Sequence, residues 1–119
     1  MDMETCLKEA MEIDGALGAA LVDYGSGMSL GTLGGGRYLD LEVAAAGNTE
    51  VVRAKMRALQ ALNLDEKIDD ILITLTNQYH LIRPLASRTG GGLFLYVALD
   101  REKANLAMDR LRTLVAKDE

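Results

Sequence analysis

Two segments of this chain are apolar on both of their faces. ALGAALVD (Ala16–Asp23) and LFLYVAL (Leu93–Leu99) carry hydrophobic residues at both alternating sets of positions. A strand with one face in water alternates apolar with polar residues, so these two belong to a sheet that is covered above and below. At 119 residues the chain forms one domain, residues 1–119, with a single continuous core. Its 49% hydrophobic and 26% charged composition is that of a folded domain rather than a disordered one. A sheet covered on both faces in one such domain implies a three-layer arrangement.

The remaining segments supply the other elements. Asp2 is placed to cap a first helix with Met3, Cys6, Leu7, Ala10, Met11 and Ile13 on one side, and Gly15 is its stop. YGSG (Tyr24–Gly27) connects the first strand to MSLGTL as a hairpin. A helical pattern runs from Asp40 to about Asn63. DDILITLT and YHLIRPLA then read as two strands joined at Asn77-Gln78, and Pro84 marks the end of the second or a bulge. Asp100 caps a last helix with Ala104, Ala107, Met108, Leu111, Leu114 and Val115 on one side. The order is helix, two strands, helix, three strands, helix, without linker, repeat or low-complexity segment.

Charge and motif content narrow the function. The net charge is -5 and there is no Lys/Arg block, so neither a nucleic acid nor an anionic membrane surface is expected as a partner. The single cysteine, the acidic amphipathic start and the lack of a span-length apolar run point to a cytosolic protein without membrane insertion. Two glycine triplets, TLGGGRYLD (Thr32–Asp40) and RTGGGLFLY (Arg88–Tyr96), raise the question of a phosphate cradle. Neither is followed by the Lys and Ser/Thr of a P-loop, and the second leads into a strand. Both read as loop backbone.

His80 is the sole histidine, on a strand with Tyr79 and Leu81 facing the other way, and no nucleophile or orienting partner accompanies it. Asp69 and Asp70 form a charged lead-in to a strand rather than a metal site, and the six methionines are spread through the core elements. No catalytic residue, cofactor site or metal site is expected.

The central helix is the informative element. In LEVAAAGNTEVVRAKMRALQALN, residues Glu42, Glu50, Arg53, Arg57 and Gln60 gather in one arc of roughly 80°. Leu41, Ala45, Val52, Met56 and Leu59 form a stripe large enough to pack on a sheet. Val43, Gly47, Ala54, Ala58 and Ala61 form a second stripe, nearly all small, which lets another helix approach closely. One sheet covers one stripe; the economical cover for the other is a partner subunit. ILITLT (Ile71–Thr76) has no Pro, Gly or internal charge, and at a sheet edge it invites another strand. The expected dimer interface therefore combines Val43, Gly47, Val51, Ala54, Ala58 and Ala61 with Ile71, Leu72, Ile73, Thr74 and Leu75.

With these elements in place, the whole chain resembles the Roadblock/dynein-light-chain family, most clearly in GALGAALVDYGSGMSL (Gly15–Leu30) and GGLFLYVALDREKANLAMDRL (Gly91–Leu111). The resemblance implies a five-stranded antiparallel sheet, with the central helix on one face and the terminal helices on the other. It also implies homodimers or heterodimers joined through the third strand and central helix. Members act as scaffolds or regulators, in bacteria beside small Ras-like GTPases. GTPase-activating relatives engage their partner across the paired central helices, which implies Glu50, Arg53 and Arg57 as partner-binding residues here. The chain lacks the terminal extensions of some regulators, so activities that depend on them are not expected. The expected function is a non-catalytic homodimeric regulator or scaffold for a small GTPase. The competing expectation, a small-ligand sensor of profilin-like three-layer architecture, requires an enclosed pocket with convergent polar groups.

Overall fold

The computed structural model describes residues 2–37, 39–85 and 92–104. Its elements are α1 (Met3–Met11), β1 (Ala16–Asp23), β2 (Met28–Gly34), α2 (Leu41–Ala61), β3 (Ile71–Thr74), β4 (Gln78–Leu85), β5 (Leu93–Asp100) and α3 (Arg101–Ala104). The strands form one five-stranded antiparallel sheet in the order β2-β1-β5-β4-β3. The two segments apolar on both faces are thus neighbours, and one of them, β5, is the middle strand.

Their alternation divides the core in two. Ala19, Leu21, Leu95, Val97 and Leu99 pack with Cys6, Leu7, Ala10 and Ile13 of the α1 region and with Ala104 of α3. Ala20, Val22, Phe94, Tyr96 and Ala98 point the other way, onto Leu41, Ala45 and Val52 of α2. The central helix therefore covers one face and the terminal helices the other, as the resemblance implied. Positions Ala107, Met108, Leu111, Leu114 and Val115 of the expected last helix lie outside the described residues.

Local chemistry sets the boundaries. The Asp2 carboxylate accepts the Thr5 N–H at 2.8 Å, and that bond holds its pKa below the ordinary value. The helix ends at Met11 rather than running on to Ile13, and Gly15, at φ +87°, lies three residues beyond the Glu12 cap and immediately before β1. Asp40 caps α2 by accepting from the N–H groups of Glu42 and Val43 at 3.0 and 3.2 Å. Asp100 does the same for α3 through the N–H of Glu102 at 3.0 Å.

β3 is shorter than the sequence implied. The Leu75 N–H donates to the Gln78 carbonyl at 2.8 Å, which closes the turn into β4 and leaves Leu75 and Thr76 outside the strand. Pro84 sits one residue before the end of β4, beyond the last β3 rung at Ile71↔Ile82. Its missing N–H therefore removes no bond between those strands.

The first glycine triplet is a packed left-handed bend. Gly34, Gly35 and Gly36 have φ of +73°, +77° and +139°. The Gly35 N–H donates to the Leu17 carbonyl at 2.8 Å and so is not aimed at a ligand. A Cβ at Gly34 would stand 2.7 Å from Met11 Cε and 2.8 Å from the Leu17 carbonyl oxygen. In the second triplet, Gly90 and Gly91 lie outside the described residues, while Gly92 packs against the Tyr24 ring.

Gly34→Ala is expected to lower stability by about 1–3 kcal/mol, since it combines backbone strain with a clash against main chain. Urea unfolding monitored by circular dichroism measures the loss, and an unchanged midpoint would contradict the packed-bend account.

Candidate protein-interaction site

α2 packs mainly on β1 and β2, with Leu41, Ala45, Thr49 and Val52 buried beneath it. Thr49 is satisfied within the helix, its hydroxyl donating to the Ala45 carbonyl at 2.7 Å. The small stripe lies on the surface. Val43 is 67% exposed, Val51, Ala54 and Ala61 are exposed, and Ala58 is half-buried. A Cβ built on Gly47 meets nothing within 4 Å. Past the helix, Leu62 and Leu64 are also exposed, extending the apolar surface beyond the residues singled out from sequence. Their position depends on the turn after Ala61, where Asn63 adopts φ +56°, and helical periodicity carries no signal for such a turn.

Because α2 sits over one side of the sheet, the opposite edge is left open on that face. A groove of about 450 Å³ runs between Val51, Lys55 and Leu59 of α2 and Ile68 and Ile71 at the start of β3. Ile71 and Ile73 are half-buried, whereas Leu72, Thr74 and Leu75 are exposed.

The two sheet edges differ in kind. β3 pairs with β4 in an unshifted register from Ile71↔Ile82 to Thr74↔Tyr79. The bond from Leu75 N–H to Gln78 sets the phase of this ladder, so Ile71 and Ile73 bond inward to β4. Leu72 and Thr74 therefore turn their N–H and C=O groups outward. At the other edge, the β1–β2 register shifts between Leu21↔Gly31 and Val22↔Ser29, leaving Leu30 as a bulge. Bulges and strand glycines discourage edge pairing. Only β3 presents a regular, uncharged edge.

The charged arc of α2 is partly committed to its own fold. Arg53 donates from Nη2 to the carbonyls of Tyr24 and Gly25 at 2.8 and 2.7 Å, and from Nη1 to Glu50 Oε1 at 3.1 Å. It thereby fastens the β1–β2 turn to the helix. Glu42 accepts the Ser29 hydroxyl at 2.7 and 2.8 Å through its two oxygens. Arg57, a turn beyond Arg53, is exposed, as is Gln60. Of the three partner-binding candidates, Glu50 and Arg53 stand as an ion pair and Arg57 faces solvent.

His80 belongs to a polar stitch beneath α2. Its Nε2 lies 2.7 Å from Gln78 Oε1 and its Nδ1 3.3 Å from the Tyr96 hydroxyl, with the two rings edge to face at 5.3 Å. A neutral ring that donates from Nε2 and accepts at Nδ1 satisfies both contacts. Burial pushes the Tyr96 hydroxyl up to about 12, and a hydrogen bond with Asn48 of α2 opposes that shift. Burial also holds the His80 pKa below its ordinary value. Cys6 is buried within the α1 core. Asp70 lies 3.7 Å from Arg83. Among the described residues there is no group of three or more His, Cys, Asp or Glu able to hold a metal ion. Nor, among them, is any helix long and apolar enough to cross a membrane.

With a depressed folded-state pKa, His80 contributes stability that is present above the unfolded value of 6.5 and lost as pH falls through the folded value. The melting temperature of wild type is therefore expected to drop between about pH 7 and pH 5, and His80→Gln to flatten that dependence. Parallel slopes for the two proteins would assign the acid sensitivity elsewhere.

No family model matches the sequence, and no curated protein matches it. Solved structures do. The chain is similar to the Roadblock/LC7 domain from Streptomyces avermitilis, with a TM-score of 0.73 at 16% identity over 98% of this chain and 94% of that one. It is similar to Myxococcus xanthus MglB, with a TM-score of 0.72 at 14% identity over 95% and 84% of the two chains. The gliding protein MglB from Thermus thermophilus gives 0.71 at 16% identity over 96% and 85%. The shared property is the path of the backbone through all three layers: this chain has the Roadblock fold.

Proposed function

We propose that this protein is a non-catalytic homodimeric regulator or scaffold of the cytoplasm that acts on or beside a small Ras-like GTPase. The observation that carries the proposal is the coincidence of two uncovered surfaces on one side of the protomer. The outward amides and carbonyls of β3 lie beside the exposed small-residue stripe of α2. Pairing β3 with its copy satisfies the ladder and joins the two sheets. The same step brings two α2 helices side by side, and Gly47, Ala54, Ala58 and Ala61 permit their close approach. One solved MglB structure has a tetrameric arrangement, which supports self-association in this fold.

The partner class rests on the family resemblance, in which the GTPase docks across the paired central helices. In such a dimer each α2 offers Arg57 to a partner, flanked by the Glu50–Arg53 pair.

Light scattering at micromolar protein and in high salt is expected to report twice 12.9 kDa, since apolar burial and strand pairing are not screened by salt. Gly47→Leu is expected to give a monomer with unchanged far-ultraviolet circular dichroism, because a Cβ added there points into open space in its own protomer. A monomeric wild type, or a dimeric Gly47→Leu, would overturn the interface.

Pull-down from native lysate is expected to recover a GTPase. Arg57→Glu should then slow its association by about tenfold at low salt, with the melting temperature unchanged. Arg53→Glu should slow association and also lower the melting temperature, because it releases the Tyr24–Gly25 turn. Unaltered association kinetics for Arg57→Glu would place the partner site elsewhere.

A further inference from the structure

The two ends of β3 carry opposite charges on the same face of the sheet. Arg101 stands at the C-terminal end, donating from Nη1 to the Leu75 carbonyl at 3.0 Å and lying over the Tyr79 ring at 5.6 Å. Its backbone N–H donates to the Asn77 carbonyl at 3.0 Å, so the residue is held at both main chain and side chain. Tyr79 packs with the core on the α1/α3 side, which puts Arg101 on that side. Asp70 stands at the N-terminal end. Ile71 faces α2, so its neighbour Asp70 faces the α1/α3 side, where it lies 3.7 Å from Arg83 and keeps 37% of its side chain exposed.

A dimer built through β3, the reading on which this inference rests, restricts how these charges meet. Two copies with both α2 helices on one side of a joined sheet are related by a twofold axis perpendicular to it. Residues directly opposite one another then point to the same face. Since faces alternate along the strand, the numbers of opposed residues must sum to an even value. The outward groups of Leu72 and Thr74 are to be paired, and the two allowed registers nearest the middle of the strand place Leu72 opposite the partner's Leu72, or Ile73 opposite the partner's Ile73. In the first, Asp70 lies opposite the partner's Thr74; in the second, opposite the partner's Thr76. Both positions adjoin the partner's Leu75, whose carbonyl anchors the partner's Arg101. Two Asp70 carboxylates face each other only in a register that leaves Leu72 and Thr74 opposite residues before the strand begins.

We propose that Asp70 and the partner's Arg101 form an ion pair across the β3 seam, made twice per dimer, which selects a second copy of this chain as the partner and holds the antiparallel seam to these two registers. Apolar burial on α2 gives the dimer its affinity, while the charge pair discriminates against chains that lack the complementary residue. Interfacial charges govern specificity in this way more than raw affinity.

Charge exchange tests the proposal by sedimentation equilibrium. Asp70→Arg and Arg101→Glu each place like charges together twice per dimer and are each expected to weaken self-association by about tenfold or more. An equimolar mixture of the two variants is expected to associate nearly as tightly as wild type, because both seams of the heterodimer then join opposite charges. Dimeric wild type with no recovery in the mixture would overturn the ion pair, whereas monomeric wild type would overturn the dimer itself. Should Asp70→Arg fail to fold through loss of its Arg83 contact, Asp70→Asn added to Arg101→Glu serves instead. The double variant is expected to dimerise more tightly than Arg101→Glu alone, and equal association would refute the pairing.

Discussion

The antiparallel pairing of β1 with β5 is the contact from which the rest of the architecture follows. These strands run side by side from Ala16↔Leu99 to Asp23↔Leu93, and nearly every side chain between those ends is buried. Because alternate residues leave opposite faces, one strand pair builds two cores at once. Burying a medium-sized apolar side chain contributes on the order of 1.5–3 kcal/mol. The pair therefore demands helices on both faces, and the amphipathic faces of α1 and α2 meet that demand.

Where α2 sits is a second constraint with larger consequences. Arg53 ties it to the β1–β2 turn, Glu42 ties it to Ser29 of β2, and its backbone runs mainly over β1 and β2. The helix is thereby held toward one side of the sheet. The face above β3 is left as a groove, and the small stripe is left without cover in the protomer. These two uncovered surfaces arise from the off-centre docking of one helix. The bulged, glycine-bearing β2 edge beside it is poorly suited to pairing, so the regular β3 edge is the one available.

The sole histidine is held in a polar network of the fold. His80, Tyr96, Asn48 and Gln78 form a chain of contacts between the sheet and α2. Such a chain satisfies groups that would otherwise be costly to bury. Arg53 is the instructive case among the charged residues. Its spacing from Glu50 and Arg57 marks an exposed arc, and the arc is real, yet its guanidinium is turned onto two turn carbonyls distant in sequence.

Much of the fold was legible in the residues. Continuous apolar runs marked the doubly covered strands; Asp2, Asp40 and Asp100 marked helix starts; and periodicity separated the large stripe of α2 from the small one. These are local signals, since side-chain direction repeats every 2 or 3.6 residues and a cap lies within a few residues of what it caps. The same locality limited the rest. The end of β3 at Thr74 depends on Leu75 bonding back to Gln78, the stop of α1 at Met11 on how Ile13 and Gly15 dock, and the exposed Leu62 and Leu64 on the turn after α2. Sequence by itself determined which residues need burial and which helix has an apolar stripe to spare. Only the tertiary structure decided that β3 lies at the sheet edge, that the spare stripe stays open beside it, and that Arg53 is spent while Arg57 is not. Strand order and helix placement come from contacts between residues far apart in the chain, and no local pattern carries that information.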